Sequence, residues 1–82
     1  MKYDFVIHVK FAPNIFDPQA ITIEKNLKKM SYPVENLKAG KVFEFSVQAE
    51  SKALAFDIAK DVAKNVLSNP VLEVFEVECV ER

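Results

Sequence analysis

The hydrophobic pattern of this chain changes period at one tetrapeptide, Asp17-Pro18-Gln19-Ala20. Before it, apolar side chains recur every second residue. After it they recur every three or four, so a strand must hand over to a helix within a few residues. Asp17 is suited to accept a backbone N–H as an N-cap, and Pro18 suits the first helical position, whose N–H has no intrahelical partner. A start of this kind occurs in many unrelated proteins, so these residues specify structure before they specify function.

Upstream of the junction, Tyr3, Phe5, Ile7, Val9 and Phe11 share one face of a strand, and Asp4, Val6, His8 and Lys10 share the other. Val6 leaves that second face only half polar, with room for contact beyond the domain's own helices. Pro13 and Asn14 make the next segment a loop, from which Ile15 or Phe16 is placed to staple the coming helix. In that helix Ala20, Ile23, Leu27 and Met30 form one stripe, while Lys28 and Lys29 complement the negative end of the helix dipole. Pro33 ends it by pushing Tyr32 out of helical geometry.

Val34 to Ala39 reads as a short second strand. Gly40, the single glycine of the chain, can take a positive φ without steric cost and so predicts a tight turn with Lys41. Phe43, Phe45, Val47 and Ala49 then mark a third strand, paired as a hairpin with the segment before it. Ser51 caps a second helix, whose Leu54, Ala55, Ile58, Ala59, Val62, Val66 and Leu67 form a broad face in which the alanines permit close approach to a sheet. Asn69 and Pro70 stop this helix. The last strand, Val71 to Val80, carries apolar side chains on both faces, which implies a partner.

The order strand, helix, strand, strand, helix, strand predicts an α+β fold of the ferredoxin-like βαββαβ class: a four-stranded antiparallel sheet with two helices on one face. The other face is bare. Val6, Val42, Leu72 and Val74 fall on that spare side and are the candidates for a dimer face. An 82-residue chain, half hydrophobic and 28% charged, is one domain over residues 1–82. A domain of this size buries only about 60–65% of its unfolded surface. Association into a dimer or a dimer of dimers is therefore expected.

The same counts narrow the chemistry. A net charge of −1 and a pI near 5.8 give no positive field for a phosphate backbone, so no nucleic acid is expected as partner. Phe5, Phe43 and Phe45 invite comparison with the aromatic platforms of RNA-recognition domains, but they lie in phase with the core face and not the bare one. Cys79 and His8 are the only residues of their types, too few for a disulfide or a metal cluster, and read as a strand hydrophobe and a surface residue. Glu73, Glu76, Glu78 and Glu81 cluster in the sequence, yet they fall mostly at strand spacing among apolar residues. No nucleophile motif or Gly-rich phosphate loop is present. No apolar run reaches the roughly 18 residues of a membrane span, and Met1-Lys2-Tyr3-Asp4 leads directly into a strand, so no membrane is expected and the cytoplasm is the expected location.

Four segments, in order and spread over nearly the whole chain, resemble the PurS family, the small subunit of multi-subunit phosphoribosylformylglycinamidine synthase. They are Phe5-Val6-Ile7-His8-Val9-Lys10, Asp17-Pro18-Gln19, Gly40-Lys41 and Asn69-Pro70-Val71-Leu72-Glu73-Val74-Phe75. Two positions depart from the family pattern: Ala20 and Ser31 stand where the family usually has glycine. The resemblance implies a non-catalytic subunit of a ligase of purine biosynthesis that converts formylglycinamide ribonucleotide (FGAR), glutamine and ATP to formylglycinamidine ribonucleotide (FGAM), glutamate, ADP and phosphate. It further implies that this chain bridges a large synthetase subunit and a glutaminase subunit and supports ammonia transfer, with ATP and Mg held by the large subunit and no cofactor here. Gln19 and Lys41 are the motif residues the core explains least and are the partner-contact candidates. Asp17, Pro18, Gly40, Asn69 and Pro70 already have structural reasons. A competing reading is an amino-acid-binding regulatory domain of the ACT type, which shares the element order but favours glycine-rich turns at a dimer interface.

Overall fold

In the computed structural model, which describes residues 1–80, the long first strand β1 (Lys2–Phe11) is the axis of a three-stranded antiparallel sheet. Strand β2 (Gly40–Gln48) lies on one side of it and β3 (Glu73–Val80) on the other. Register places Phe5 opposite both Phe45 and Cys79, and Ile7 opposite Phe43 and Val77. The odd-numbered residues of all three strands therefore share a face, as the alternation in the sequence requires.

Helix α2 (Lys52–Val62) packs on that face through Ala55 and Ala59, continued by Ala63 in the next turn; all three are fully buried. Their small side chains let the helix sit close over Phe5, Ile7 and Val9, each at most 1% exposed. Phe56 meets Phe5 edge to face at 5.9 Å between ring centroids, within the favoured range for aromatic pairs. Burying one such side chain contributes about 1.5–3 kcal/mol, so these three residues are the main anchor of the fold. Phe5, Phe43 and Phe45 all belong to this core and not to a bare stacking platform.

The helix does not continue as α to Leu67. Residues Ala63–Leu67 form a π turn, in which the Ser68 N–H donates to the Ala63 carbonyl at 3.0 Å and the Ser68 hydroxyl donates to the same oxygen at 2.8 Å. The wider turn directs Leu67 against the core and leaves Val66 74% exposed, although periodicity places both on the apolar face.

Two expectations are corrected. The segment Val34–Ala39 is not a strand, so the sheet has three strands and the hairpin at Gly40 is missing. Asn36 adopts a left-handed conformation at φ 55°, which interrupts extended geometry, and the Leu37 N–H donates to Glu24 Oε1 at 2.7 Å instead of to a ladder. Nor do two helices cover one face. Helix α1 (Pro18–Lys29) makes only marginal contact with the sheet and buries a single side chain, Ala20. With the returning strand absent, α1 and the connector 31–39 fasten to each other as an arm. The described chain is accordingly 51 Å long, with a radius of gyration of 16.1 Å, against about 12 Å for a compact chain of this length.

Both ends of α1 are well specified. Asp17 Oδ1 accepts the Ala20 N–H at 3.2 Å, and Pro18 occupies the first turn, as the sequence predicts. At the other end Ser31 takes φ 68°, with Ser31 N–H donating to the Lys28 carbonyl and Tyr32 N–H to the Leu27 carbonyl, both at 3.0 Å. This pair of bonds is a Schellman motif. Its left-handed residue stands where the resembling family usually places glycine.

Candidate functional site

The end of the sheet where β1 finishes and β2 begins gathers motif residues that are far apart in the sequence. Lys10, Asp17, Gln19, Gly40, Lys41 and Glu73 line one cleft of about 230 Å³. Asp17 and Gln19 arrive on the first turn of α1, Gly40 and Lys41 at the start of β2, and Glu73 at the start of β3.

Each position has a local cause. Gly40 does not have a positive φ, so the tight-turn reason for a glycine there is wrong. The reason is close approach. A Cβ at Gly40 would lie 2.5 Å from the Val9 carbonyl oxygen and 3.2 Å from Lys10 Cβ, so only glycine lets β2 begin against β1 at this point. Lys41 pairs with Glu73 at 3.8 Å across the cleft; the lysine side chain is 61% exposed and the glutamate 11%.

Glu73 is also held from behind. Its Oε1 accepts the Asn69 N–H at 2.7 Å, while the Asn69 carbonyl accepts the N–H groups of Leu72 and Glu73. Asn69 Oδ1 accepts the Val71 N–H at 3.1 Å, closing an Asx turn that Pro70 occupies. Asn69 and Pro70 thus launch β3 and set the carboxylate that meets Lys41. The sequence reading stopped at their helix-breaking role and missed this link; an Asn-Pro four residues ahead of a strand-leading glutamate was the available signal.

The candidate dimer-face residues lie elsewhere. Val6, Val42 and Val74 are on the open face, where Val6 stands between Glu44 and Glu78, Val42 is opposite His8 and Val74 is opposite Lys10. Val42 is 59% and Val74 40% exposed. Leu72 sits in the turn before β3 and not within the strand. Of the four clustered glutamates, Glu81 lies outside the described residues. Among the described residues no group of three or more His, Cys, Asp or Glu is placed to hold a metal ion, and no helix is long and apolar enough to cross a membrane.

One carboxylate has a perturbed affinity for protons. The Leu37 N–H holds Glu24 below its ordinary value of 4.5 against the opposing effect of desolvation, and the Lys28 ammonium 3.4 Å away lowers it further by a smaller amount. That glutamate ties the arm together, whereas Lys41 and Glu73 span the cleft.

A family model for PurS, phosphoribosylformylglycinamidine (FGAM) synthase, matches residues 4–81. The chain is 38% identical over 76 residues to the PurS subunit of phosphoribosylformylglycinamidine synthase from Thermotoga maritima, an alignment covering 92% of this chain and 93% of that one. Its fold matches a chain in the PurLQS structure of Thermotoga maritima with a TM-score of 0.92 at 36% identity, over 98% of this chain and 99% of that one. It matches Thermus thermophilus PurS with a TM-score of 0.81 at 31% identity, over 99% and 100% of the two chains. Similar in sequence and fold along nearly its whole length, the chain belongs to the PurS family of FGAM synthase.

Proposed function

We propose that this chain is the non-catalytic small subunit of FGAM synthase, and that it bridges the synthetase and glutaminase subunits through the cleft at the end of its sheet. The reaction is the conversion of FGAR, glutamine and ATP to FGAM, glutamate, ADP and phosphate. The observation that carries the proposal is convergence. Four separated motif segments meet at one cleft, and two of their residues, Gln19 and Lys41, are exposed there without a core role. A similar chain forms part of PurLQS in Thermotoga maritima. Ammonia transfer would then depend on how this subunit aligns its neighbours, with ATP and Mg held by the large subunit and the complex working in the cytoplasm.

Self-association belongs to the same proposal. Ile23 and Met30 on the α1 stripe are 38% and 65% exposed, and Phe43, Phe45 and Phe75 are only partly covered beside α2. An arm that leaves its apolar stripe uncovered gains burial against a second copy, as a dimer or a dimer of dimers.

Reconstitution tests the proposal. Glutamine-dependent FGAM synthesis by the cognate synthetase and glutaminase subunits should require this chain, and the isolated chain should neither hydrolyse glutamine nor show heat of binding with Mg-ATP. Full glutamine-dependent activity without it, or stoichiometric Mg-ATP binding to it alone, would overturn the assignment. A sedimentation profile that stays monomeric at tens of micromolar protein, on the order of assay stocks, would remove the oligomer.

A further inference from the structure

Next to the motif cleft, on the open face of the sheet, lies a second groove of about 250 Å³ whose charged lining has one sign. His8, Lys10, Lys38 and Lys41 line it, with Gly40 and Val42 between them and no carboxylate. Nearby acids are already engaged or directed elsewhere. Glu73 faces the adjoining cleft and pairs with Lys41 alone. Glu24 lies 3.4 Å from Lys28 and feels Lys38 only as the weakest of its charge contacts. Glu76 stands opposite His8 in the β1 to β3 register and lines the depression on the far side of Lys10. Among the described residues Lys10 and Lys38 have no ion pair, although the chain as a whole carries a net charge of −1.

Two lysines without an ion pair, Lys10 and Lys38, in one groove are a cost to the isolated subunit, because like charges brought together repel. The cost disappears when carboxylates enter. The groove has the means to receive them: the missing Cβ at Gly40 keeps its floor open, and three ammonium groups surround it on flexible stems. We propose that this groove docks an acidic surface segment of a partner subunit, with Asp or Glu side chains seated among Lys10, Lys38 and Lys41. The inference rests on the bridging function and adds the chemistry of what is bridged. Its contacts lie at a solvent-accessible rim, so they act on association rate and salt dependence more than on the chemical step.

The test is titration of the chain into cognate synthetase and glutaminase subunits, read as glutamine-dependent activity at about 50 mM and about 300 mM salt. At low salt Lys10→Glu and Lys38→Glu should each raise the half-saturating concentration about five- to tenfold. The difference from wild type should shrink at high salt, and activity at saturation should be unchanged. Lys10→Gln and Lys38→Gln should give smaller shifts in the same direction. Lys25→Glu, on the exposed side of α1, should titrate as wild type does. Charge-reversed variants that titrate like wild type would overturn the groove as a docking site while leaving the bridging function standing; a wild-type chain that supports no activity would instead overturn the function. Saturable binding of inorganic phosphate at constant ionic strength, followed by the Gly40 and Lys41 amide resonances, would make the groove a small-anion site and overturn the proposal.

Discussion

Ser31→Gly should stabilise the arm. Ser31 holds φ 68° at the left-handed position of the Schellman motif that ends α1, a conformation that brings Cβ close to a backbone carbonyl. For residues other than glycine this costs about 1–2 kcal/mol. Glycine removes that strain but adds freedom to the unfolded chain worth roughly 0.5–1 kcal/mol in the opposite direction. The difference leaves a gain of about 0.5–1 kcal/mol for the arm. The right assay is local, because α1 has little contact with the sheet and can open without it. The amides of Met30, Ser31 and Tyr32, which donate to the last carbonyls of the helix, should exchange about two- to fivefold more slowly in the variant. Ser31→Asn should fall between, since asparagine tolerates this region, as it does at Asn36 with φ 55°. Ser31→Val, with its branched Cβ, should accelerate exchange. If the glycine variant exchanged as fast as wild type or faster, the left-handed turn would not be the strained element of this helix end.

Gly40→Ala should destabilise by about 1–3 kcal/mol in denaturant titration, because the new Cβ meets the Val9 carbonyl oxygen at 2.5 Å and the first pairs of the β1 to β2 ladder must separate to relieve it. Asp17→Ala should cost about 1 kcal/mol through the lost bond to the Ala20 N–H, whereas Gln19→Ala and Lys41→Ala should stay within about 0.5 kcal/mol in thermal unfolding and instead raise the concentration needed for half-maximal reconstituted activity. Acid should loosen the arm: Glu24 is depressed in the folded chain, so its contribution is complete above its ordinary 4.5 and is lost as pH falls through the lower folded value. The Leu37 amide resonance should move in that acidic window, and Glu24→Gln should abolish the movement.

What could be read in advance was whatever a short window of sequence determines. The alternation from Tyr3 to Phe11 made β1, the alanines at 55 and 59 made the close helix layer, and Asp17-Pro18 and Ser51 made helix starts with the expected capping bonds. Each of these outcomes follows from side-chain period or from one side chain and its nearest amides. The misreadings share a different origin. Val34 to Ala39 contains enough apolar residues to look like an edge strand, but a carboxylate thirteen residues away captures the Leu37 amide, and Asn36 turns the backbone left-handed. The π turn depends on how the end of a helix settles over a core that the helix itself helps to form, and no residue spacing announces that.

Gly40 shows why the site was harder to see than the fold. A lone glycine before a lysine and a strand has an economical local explanation, the positive φ of a hairpin turn, and that explanation is wrong. The true constraint is the Val9 carbonyl oxygen, thirty-one residues earlier in the chain, against which no Cβ fits. Lys41 likewise finds Glu73 only once β1 has brought β2 and β3 to either side of itself. Each of the four segments supplies part of the wall of the same cleft. Gly40, Lys41 and Glu73 must fit partners across strand pairings and Asn69 holds Glu73 from behind, so substitutions at these four positions should be coupled. A double-mutant cycle joining Lys41→Ala to Glu73→Ala is the sharpest form of that statement. In the isolated chain the coupling should fall within the roughly 0–1 kcal/mol of an exposed ion pair. Within the assembled complex, docking of a partner over the cleft as proposed would exclude water from it, and the same cycle should then give a larger value.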